Sequence, residues 1–399
     1  MFYDQFMNPV VLDTPISGIR LVNSWESKIP LKEQIHLNIG QPDLSTPAYI
    51  KEAVVDALNK NLTRYTDLMG EEYLRKAIVA FQQAFHNLTY SPREVLVTAG
   101  GQSAIFAVLK AILSPNDNII IPFPSYPPYI NAIKYNDAKI LPLETTVNDN
   151  FNIDTGKLRS ILEKEPVKAL LLISPGNPTG TIIPKKSLQE IIDFSVEFNF
   201  LIISDEIYSD IIFDDLAYPS IAAFPEAWER TIIIQSFSKM LSMCGFRIGY
   251  ILAPSPIIDQ IKVIHHTMNI CANNLAQYAA YKALEDRNQL KRSISELVKT
   301  YQDRRDLCLE ILTKSDTLSI SKPRGAFYLF PKVANLDMTI FCKWLKYNYG
   351  VTTVPGSYFS TEQIEEHNQY FRICFTAEKE QLHLGMKKIV SALEEYKKT

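Results

Sequence analysis

From about residue 94 the chain alternates short apolar runs, rich in β-branched residues, with longer stretches whose apolar positions recur at helical spacing. That is the pattern of strand, crossover helix and strand. The runs fall at 95–98, 118–123, 139–142, 169–174, 200–204, 231–235 and 248–252. Several are apolar at nearly every position, as in Ala169-Leu170-Leu171-Leu172-Ile173. Successive side chains of a strand point to opposite faces, so such a run needs cover on both sides. The pattern predicts an α/β fold: a large domain with a mostly parallel seven-stranded sheet flanked by helices.

The C-terminal third is patterned differently. Residues 277–313 contain neither Gly nor Pro and set Leu, Ala and Ile among charges at helical spacing, which predicts a long helix leaving the large domain. Beyond it, 314–398 mixes strand-like runs (327–331, 370–375) with helical patterns at 337–347 and 379–396, a smaller α+β unit. With no internal repeat or low-complexity linker, the expected division is a large domain at 46–285 and a small domain formed by 1–45 and 286–399. Composition alone does not reveal where the N-terminal segment packs.

Composition narrows the partners. The 399 residues are 46% hydrophobic, enough for substantial cores, and carry 41 Lys and Arg against 44 Asp and Glu. A net charge of -3 provides no field to draw nucleic acid or an anionic membrane, and the apolar runs fall far short of the about 20 residues a membrane helix needs. The N-terminus, Met-Phe-Tyr-Asp-Gln, has an acid where a secretory signal carries basic residues. Five scattered cysteines, never spaced C-x-x-C, suggest reduced thiols and a cytoplasmic setting. Neighbouring His265 and His266 point to different sides of any regular element, so no metal is expected.

In an open α/β sheet, ligands bind beyond the carboxyl ends of the strands. There this chain is unusually polar. After 95–98 come Gly100, Gly101, Gln102 and Ser103 at the start of a helix, whose free N–H groups and positive dipole end suit a phosphate. A tight turn would also call for glycine at that point. After 169–173 come two prolines and two glycines around Asn177, in Ser174-Pro175-Gly176-Asn177-Pro178-Thr179-Gly180. After 200–204 stand Asp205, Glu206, Ile207 and Tyr208, a carboxylate and a phenol that helix capping could also explain. After 231–235 stand Ser236, Phe237, Ser238 and Lys239, with Arg247 eight residues past the lysine. An acid, an amide, a phenol, a glycine cradle, an arginine and a lysine thus converge on one edge. They describe a site for a phosphorylated, ring-bearing electrophile held by a lysine.

These residues resemble the class I/II aminotransferases, pyridoxal-phosphate enzymes of fold type I. The stretch from Ser236-Phe237-Ser238-Lys239 to Gly245-Phe246-Arg247-Ile248-Gly249 resembles the family's lysine-attachment signature throughout. Gly100-Gly101, Asn177-Pro178-Thr179-Gly180, Asp205-Glu206-Ile207-Tyr208 and Gly325-Ala326-Phe327-Tyr328 recur in the family's order. The resemblance implies pyridoxal 5'-phosphate bound to Lys239 as a Schiff base, with Lys239 later moving the substrate proton. It implies that Asp205 pairs with the pyridine nitrogen, and that Asn177 and Tyr208 hydrogen-bond the ring oxygen. Arg247, Ser236, Ser238, Gly101 and Gln102 would surround the phosphate, and Tyr126 would stack on the ring. Arg372 would clamp the substrate α-carboxylate with help from the Gly40 backbone. Tyr65 would reach the phosphate of a neighbouring subunit, making a homodimer the complete unit, and the small domain would close over the substrate.

The reaction implied is ping-pong transfer of an amino group between an L-amino acid and a 2-oxo acid through pyridoxamine phosphate. The same scaffold resembles C-S lyases and cyclopropane-forming synthases, which diverge only after Cα deprotonation. A non-catalytic effector-binding module is a further alternative, although no helix-turn-helix is evident in the first 45 residues. Ser174 and Gly176 stand where many relatives carry asparagine, and Tyr126 replaces a tryptophan of several aspartate-active members. Lys110 occupies a helix position where some acidic-substrate relatives place a lysine for the distal carboxylate, though helix lysines are more often solvated.

Overall fold

The computed structural model describes residues 3–12, 14, 16–361 and 364–398. Its central sheet has seven strands: β1 (Val95–Thr98), β2 (Asn118–Phe123), β3 (Lys139–Glu144), β4 (Ala169–Ile173), β5 (Leu201–Asp205), β6 (Thr231–Ser236) and β7 (Gly249–Leu252). They lie in the order β1-β7-β6-β5-β4-β2-β3. All neighbours are parallel except β7, which runs antiparallel to both β6 and β1. The sheet is mostly parallel and seven-stranded, as the sequence pattern predicts.

Alternation along the strands explains the two covered faces. Leu96, Ile119, Ile121, Leu171, Ile203 and Ile234 pack on one side with Ala104, Val108, Ile258 and Ile261. Those four belong to the helices Gly101–Ile112 and Ser255–Asn269. Their neighbours Ile120, Leu170, Leu172 and Ile202 turn to the opposite side, onto Leu188, Ile191 and Ile192 of the helix Lys185–Glu197. At about 25 cal/mol per Å2 of apolar area removed from water, burial on both faces dominates the stability of this layer.

Most strands differ from expectation by one or two residues at one or both ends, and two departures, one in a strand and one in a helix, have a clear local cause. β7 begins at Gly249 because Arg247 adopts the left-handed conformation, φ 53°, which no strand accommodates. The Gly- and Pro-free stretch contains two helices, Asn274–Glu285 and Arg287–Leu312, separated at Asp286. The Asp286 carboxylate accepts from the N–H groups of Asn288 and Gln289, an N-cap that breaks the helix without a Gly or Pro signal.

Outside the large sheet, Ile35–His36 pairs in parallel with Val351–Thr352. Phe371–Cys374 lies between Val354–Pro355 and Tyr328–Leu329, antiparallel to both. Ile35 and Leu37 share one apolar cluster with Phe327, Phe371, Ile389 and Leu393, so the start of the chain packs with its end.

The parallel register aligns the carboxyl ends of the middle strands. Asp205 is opposite Ile173 on one side and Ile234 on the other. Because β7 returns antiparallel, its first residue, Gly249, lies between Ser236 and Thr98 at the same edge. A Cβ on Gly249 would meet Gln235 O at 2.7 Å and the backbone of Gly100 and Gly101 at 3.0 Å. Backbone cannot rotate aside as a side-chain tip can. Gly249→Ala is expected to cost at least about 1–3 kcal/mol by overpacking and to displace the Gly100-Gly101 turn. A denaturation midpoint equal to that of the unsubstituted protein would contradict this packing.

Candidate active site

A cavity of about 640 Å3 opens at that edge, lined by Lys239, Asp205, Tyr208, Asn177, Tyr126 and Arg372. Gly40, Gly101, Gln102, Ser238 and Arg247 border it as well. Eleven of the thirteen residues singled out in the sequence therefore meet in one place, and two do not. Ser236 lies behind the wall at 1% exposure, its hydroxyl engaged with Ser238 Oγ at 2.8 Å and Ile248 O at 3.0 Å. Tyr65 is 79% exposed and lies outside the cavity of its own chain. Lys110 is likewise solvent-exposed and does not border the cavity.

Lys239 sits in the short helix Phe237–Met240, which Ser236 caps by accepting from the Ser238 N–H at 3.1 Å. Its Nζ donates to Gly40 O at 2.7 Å. Burial holds the lysine pKa below its usual range, and the nearby Arg372 and Arg247 push the same way while Cys244 and Cys374 oppose. Gly40 has no room for a side chain: a Cβ would stand 2.1 Å from the Tyr328 hydroxyl.

Asp205 ends β5 at 2% exposure, and among the described residues it has no ion-pair partner. Tyr129 donates to its Oδ2 at 2.6 Å, and the Ile207 N–H to Oδ1 at 3.1 Å. Burial pushes its carboxyl up to about 6, against the pull of those two hydrogen bonds and of Lys239. Tyr129 escaped the sequence reading. The available signal was its place three residues after Tyr126, at the start of the helix Pro128–Lys134. Tyr208 shares a 2.6 Å hydrogen bond with Tyr328, a residue of the Gly325-Ala326-Phe327-Tyr328 motif to which the sequence assigned no role.

Arg372, in the strand Phe371–Cys374, is 1% exposed. Its Nη1 donates to Asn177 Oδ1 at 2.9 Å and its Nη2 to Asn38 O. The guanidinium carbon lies 4.6 Å from the Tyr328 ring centre and 4.8 Å from that of Phe359. Its Nε has no partner, a buried donor awaiting an acceptor. Across the cavity the helix Gly101–Ile112 starts at Gly100, φ 86°, where a Cβ would come within 2.7 Å of Arg247 Nη2. An arginine thus lies against a helix N-terminus, a combination that suits an anion.

A buried lysine of depressed pKa, an unpaired buried carboxylate and two anion-seeking corners can hold a phosphorylated, ring-bearing electrophile beside a carboxylate substrate. Comparison with known proteins agrees with that chemistry. Residues 32–389 match the family Aminotransferase class I and II. The chain is 35% identical to an aspartate aminotransferase of Pyrococcus abyssi, over 92% of this chain and 94% of that one. It is 31% identical to aromatic-amino-acid aminotransferase 2 of Thermococcus litoralis, over 91% and 92%. It superposes on the crystal structure of an aromatic aminotransferase of Pyrococcus horikoshii with a TM-score of 0.86 at 34% identity, covering 91% and 96% of the two chains. With its motifs, its sheet and its cavity all in agreement, the chain belongs to the class I and II aminotransferases, and is a pyridoxal-phosphate-dependent transferase of amino groups between amino acids and 2-oxo acids.

Proposed function

We propose that Lys239 attaches the cofactor and then moves the substrate proton, and that Asp205 and Arg372 hold the cofactor ring and the substrate α-carboxylate respectively. The observation that carries this reading is the meeting of Lys239 Nζ, the unpaired Asp205 carboxylate and the orphaned Arg372 Nε in one cavity. Each of these charged groups fits one part of a pyridoxal-phosphate complex. Asp205 suits a protonated ring nitrogen, Arg372 a carboxylate, and the Gly100-Gly101 helix start with Arg247 a phosphate. When bound, the cofactor supplies an electron-withdrawing ring that stabilises negative charge on the substrate Cα. The protein's part is to place and move protons. Lys239 Nζ, its pKa lowered by burial, can accept the Cα proton once displaced from the cofactor and return it elsewhere. Asn177 gives its Oδ1 to Arg372, which leaves Nδ2 to donate to the ring oxygen together with Tyr208. Tyr126 lines the face where the ring would stack. Gln102, Ser238 and Ser236 serve the phosphate, with the Ser236 hydroxyl lying behind Ser238 and hydrogen-bonded to it. Gly40 brings its backbone to the substrate carboxylate, close to Lys239.

We read the working unit as a homodimer in which Tyr65 completes the neighbouring site. Its 79% exposure, on a loop held by Asn274 Nδ2 to Arg64 O at 3.2 Å and Gln277 Nε2 to Thr66 Oγ1 at 2.9 Å, supports this. We further read 46–285 as one body and 1–45 with 286–399 as another that closes over the substrate. The cluster shared by Ile35, Leu37, Phe371 and Leu393 supports that grouping. A cytoplasmic setting is in keeping with five free thiols, three of them buried. Among the described residues no helix is long and apolar enough to cross a membrane.

Lys239→Ala should abolish the covalent cofactor band in the visible spectrum and reduce turnover by several orders of magnitude. Arg372→Ala should leave that band and act mainly through KM for the amino acid, about 10- to 100-fold for loss of a charge-assisted pair. A Lys239→Ala enzyme with normal turnover would remove the lysine from its role. Mixing Lys239→Ala with Tyr65→Ala subunits should regenerate activity, because some heterodimers contain one intact site; no recovery after confirmed subunit exchange would refute the shared site.

pH provides a further check. Above about 6 Asp205 carries the charge that the ring nitrogen pairs with, and below it the carboxyl is neutral. Cofactor affinity should therefore weaken as the pH falls through about 6, and Asp205→Asn should flatten that dependence. Without cofactor the sign reverses for stability. The folded pKa is raised from 3.8 to about 6, so the group's contribution is present below 3.8 and lost as the pH rises through 6. Cofactor titrations across that range measure the first effect and unfolding of the cofactor-free protein the second; an affinity independent of pH would count against Asp205 as the ring partner.

A further inference from the structure

The cavity wall carries four cationic side chains, Arg20, Lys239, Arg247 and Arg372, against a single carboxylate, Asp205. Three of the cations have a use in the reading above: covalent attachment, the phosphate and the α-carboxylate. Arg20 has none. Its guanidinium makes no hydrogen bond or ion pair with any described residue. It is carried by the short helix Gly18–Leu21, in an N-terminal strap that forms one lip of the cavity with Ser17, Ile19 and Asn23.

That strap is fastened in place. Asn38 Nδ2 donates to Ile19 O at 3.2 Å and to Asn23 Oδ1 at 2.9 Å, while the Asn38 carbonyl accepts from Arg372. Lys346 Nζ holds the strap from beneath through Val22 O at 2.8 Å and Asn23 O at 2.9 Å. Gly18 lies so close to the Tyr358 ring that a Cβ would stand 2.3 Å from it. Arg20 is therefore tied, through one asparagine, to the arginine that receives the α-carboxylate. Tyr126 lies within electrostatic reach of Arg372, Arg20 and Arg247 together. Three guanidinium groups around one substrate-sized space outnumber the two anions, phosphate and α-carboxylate, that the reaction itself requires.

We propose that Arg20 is a specificity-determining residue that receives the second carboxylate of a dicarboxylic amino acid or 2-oxo acid. The proposal rests on the aminotransferase reading and deepens it by naming the substrate class. Lys110, the lysine singled out for that role by resemblance, does not border the cavity of its own chain, whereas Arg20, itself exposed to solvent at the mouth, does.

The test compares Arg20→Gln and Arg20→Lys with the unsubstituted holoenzyme on L-glutamate and L-aspartate against L-phenylalanine and L-alanine. In Arg20→Gln the ratio of kcat/KM for dicarboxylic over monocarboxylic substrates should fall about 10- to 100-fold, mostly through KM, and Arg20→Lys should recover part of it. A parallel titration with unreactive succinate and propionate, followed by ligand-induced thermal shift, should show succinate binding weakened and propionate binding little changed in Arg20→Gln. An unchanged ratio, or an equal fall for both substrate classes, overturns the proposal; the latter would make Arg20 only a support of the strap. An unsubstituted enzyme that binds succinate in an Arg20-dependent manner yet converts no amino acid would sustain the Arg20 assignment while failing the transamination reading.

Discussion

A guanidinium removed from water is costly unless its charge and donors find partners, and Arg372 draws its partners from three distant parts of the chain. Asn38 comes from the N-terminal segment, Asn177 from the loop after β4, and the two flanking rings from Tyr328 and Phe359. Because these partners converge on one charge, the charge also fixes their mutual positions. The floor of the cavity, the strap over its mouth and the strand Phe371–Cys374 are held in register by the same side chain. Among the described residues its Nε has no hydrogen-bond partner, so a buried donor is left free at that point.

The opposite end of the cavity solves a related problem differently. Asp205 is buried without a cation, and only the Tyr129 hydroxyl and one backbone N–H soften the cost. Such a carboxylate would gain from a positively charged partner, and its raised pKa reflects the cost of holding the charge without one. Lys239 lies between the two ends and experiences both: burial drains its charge, while the Gly40 carbonyl fixes its Nζ. The electrostatic work is done when the chain folds, so little reorganisation is left for the reaction itself.

Much of this arrangement could be read in the sequence, for identifiable reasons. β-branched runs at regular intervals marked all seven strands, and polar residues directly after them marked the ligand edge, since parallel strands end together. What escaped depended on contacts that no local pattern encodes. Tyr129 reads as an ordinary helix aromatic until Asp205 is seen beside it. Arg20 and Asn38 lie in a stretch with weak periodicity, and contacts with residues more than 300 positions away, among them the pairing of Ile35–His36 with Val351–Thr352 and the bonds from Lys346 and Arg372, bring them to the cavity. The break at Asp286 went unnoticed because an aspartate cap in a charged helical stretch looks like any other surface acid. Ser236 stands in the motif, and the contacts of its hydroxyl with Ser238 and Ile248 are set by the short helix that follows, which no local pattern shows.

The antiparallel return of β7 bears on the order in which this chain acquires its shape. β1 is an edge strand whose one neighbour in the sheet is β7, so the Gly100-Gly101 turn at its end has no strand beside it until residues 249–252 are in place. On a ribosome that delay spans the synthesis of the whole intervening sheet, and the cavity wall formed by Arg372 waits longer still. Contacts this remote in sequence are slow to close and are formed late in folding. The protein can thus be largely built before its cavity is complete. Ligand binding is consequently a sensitive report of complete folding, whereas secondary-structure content is not.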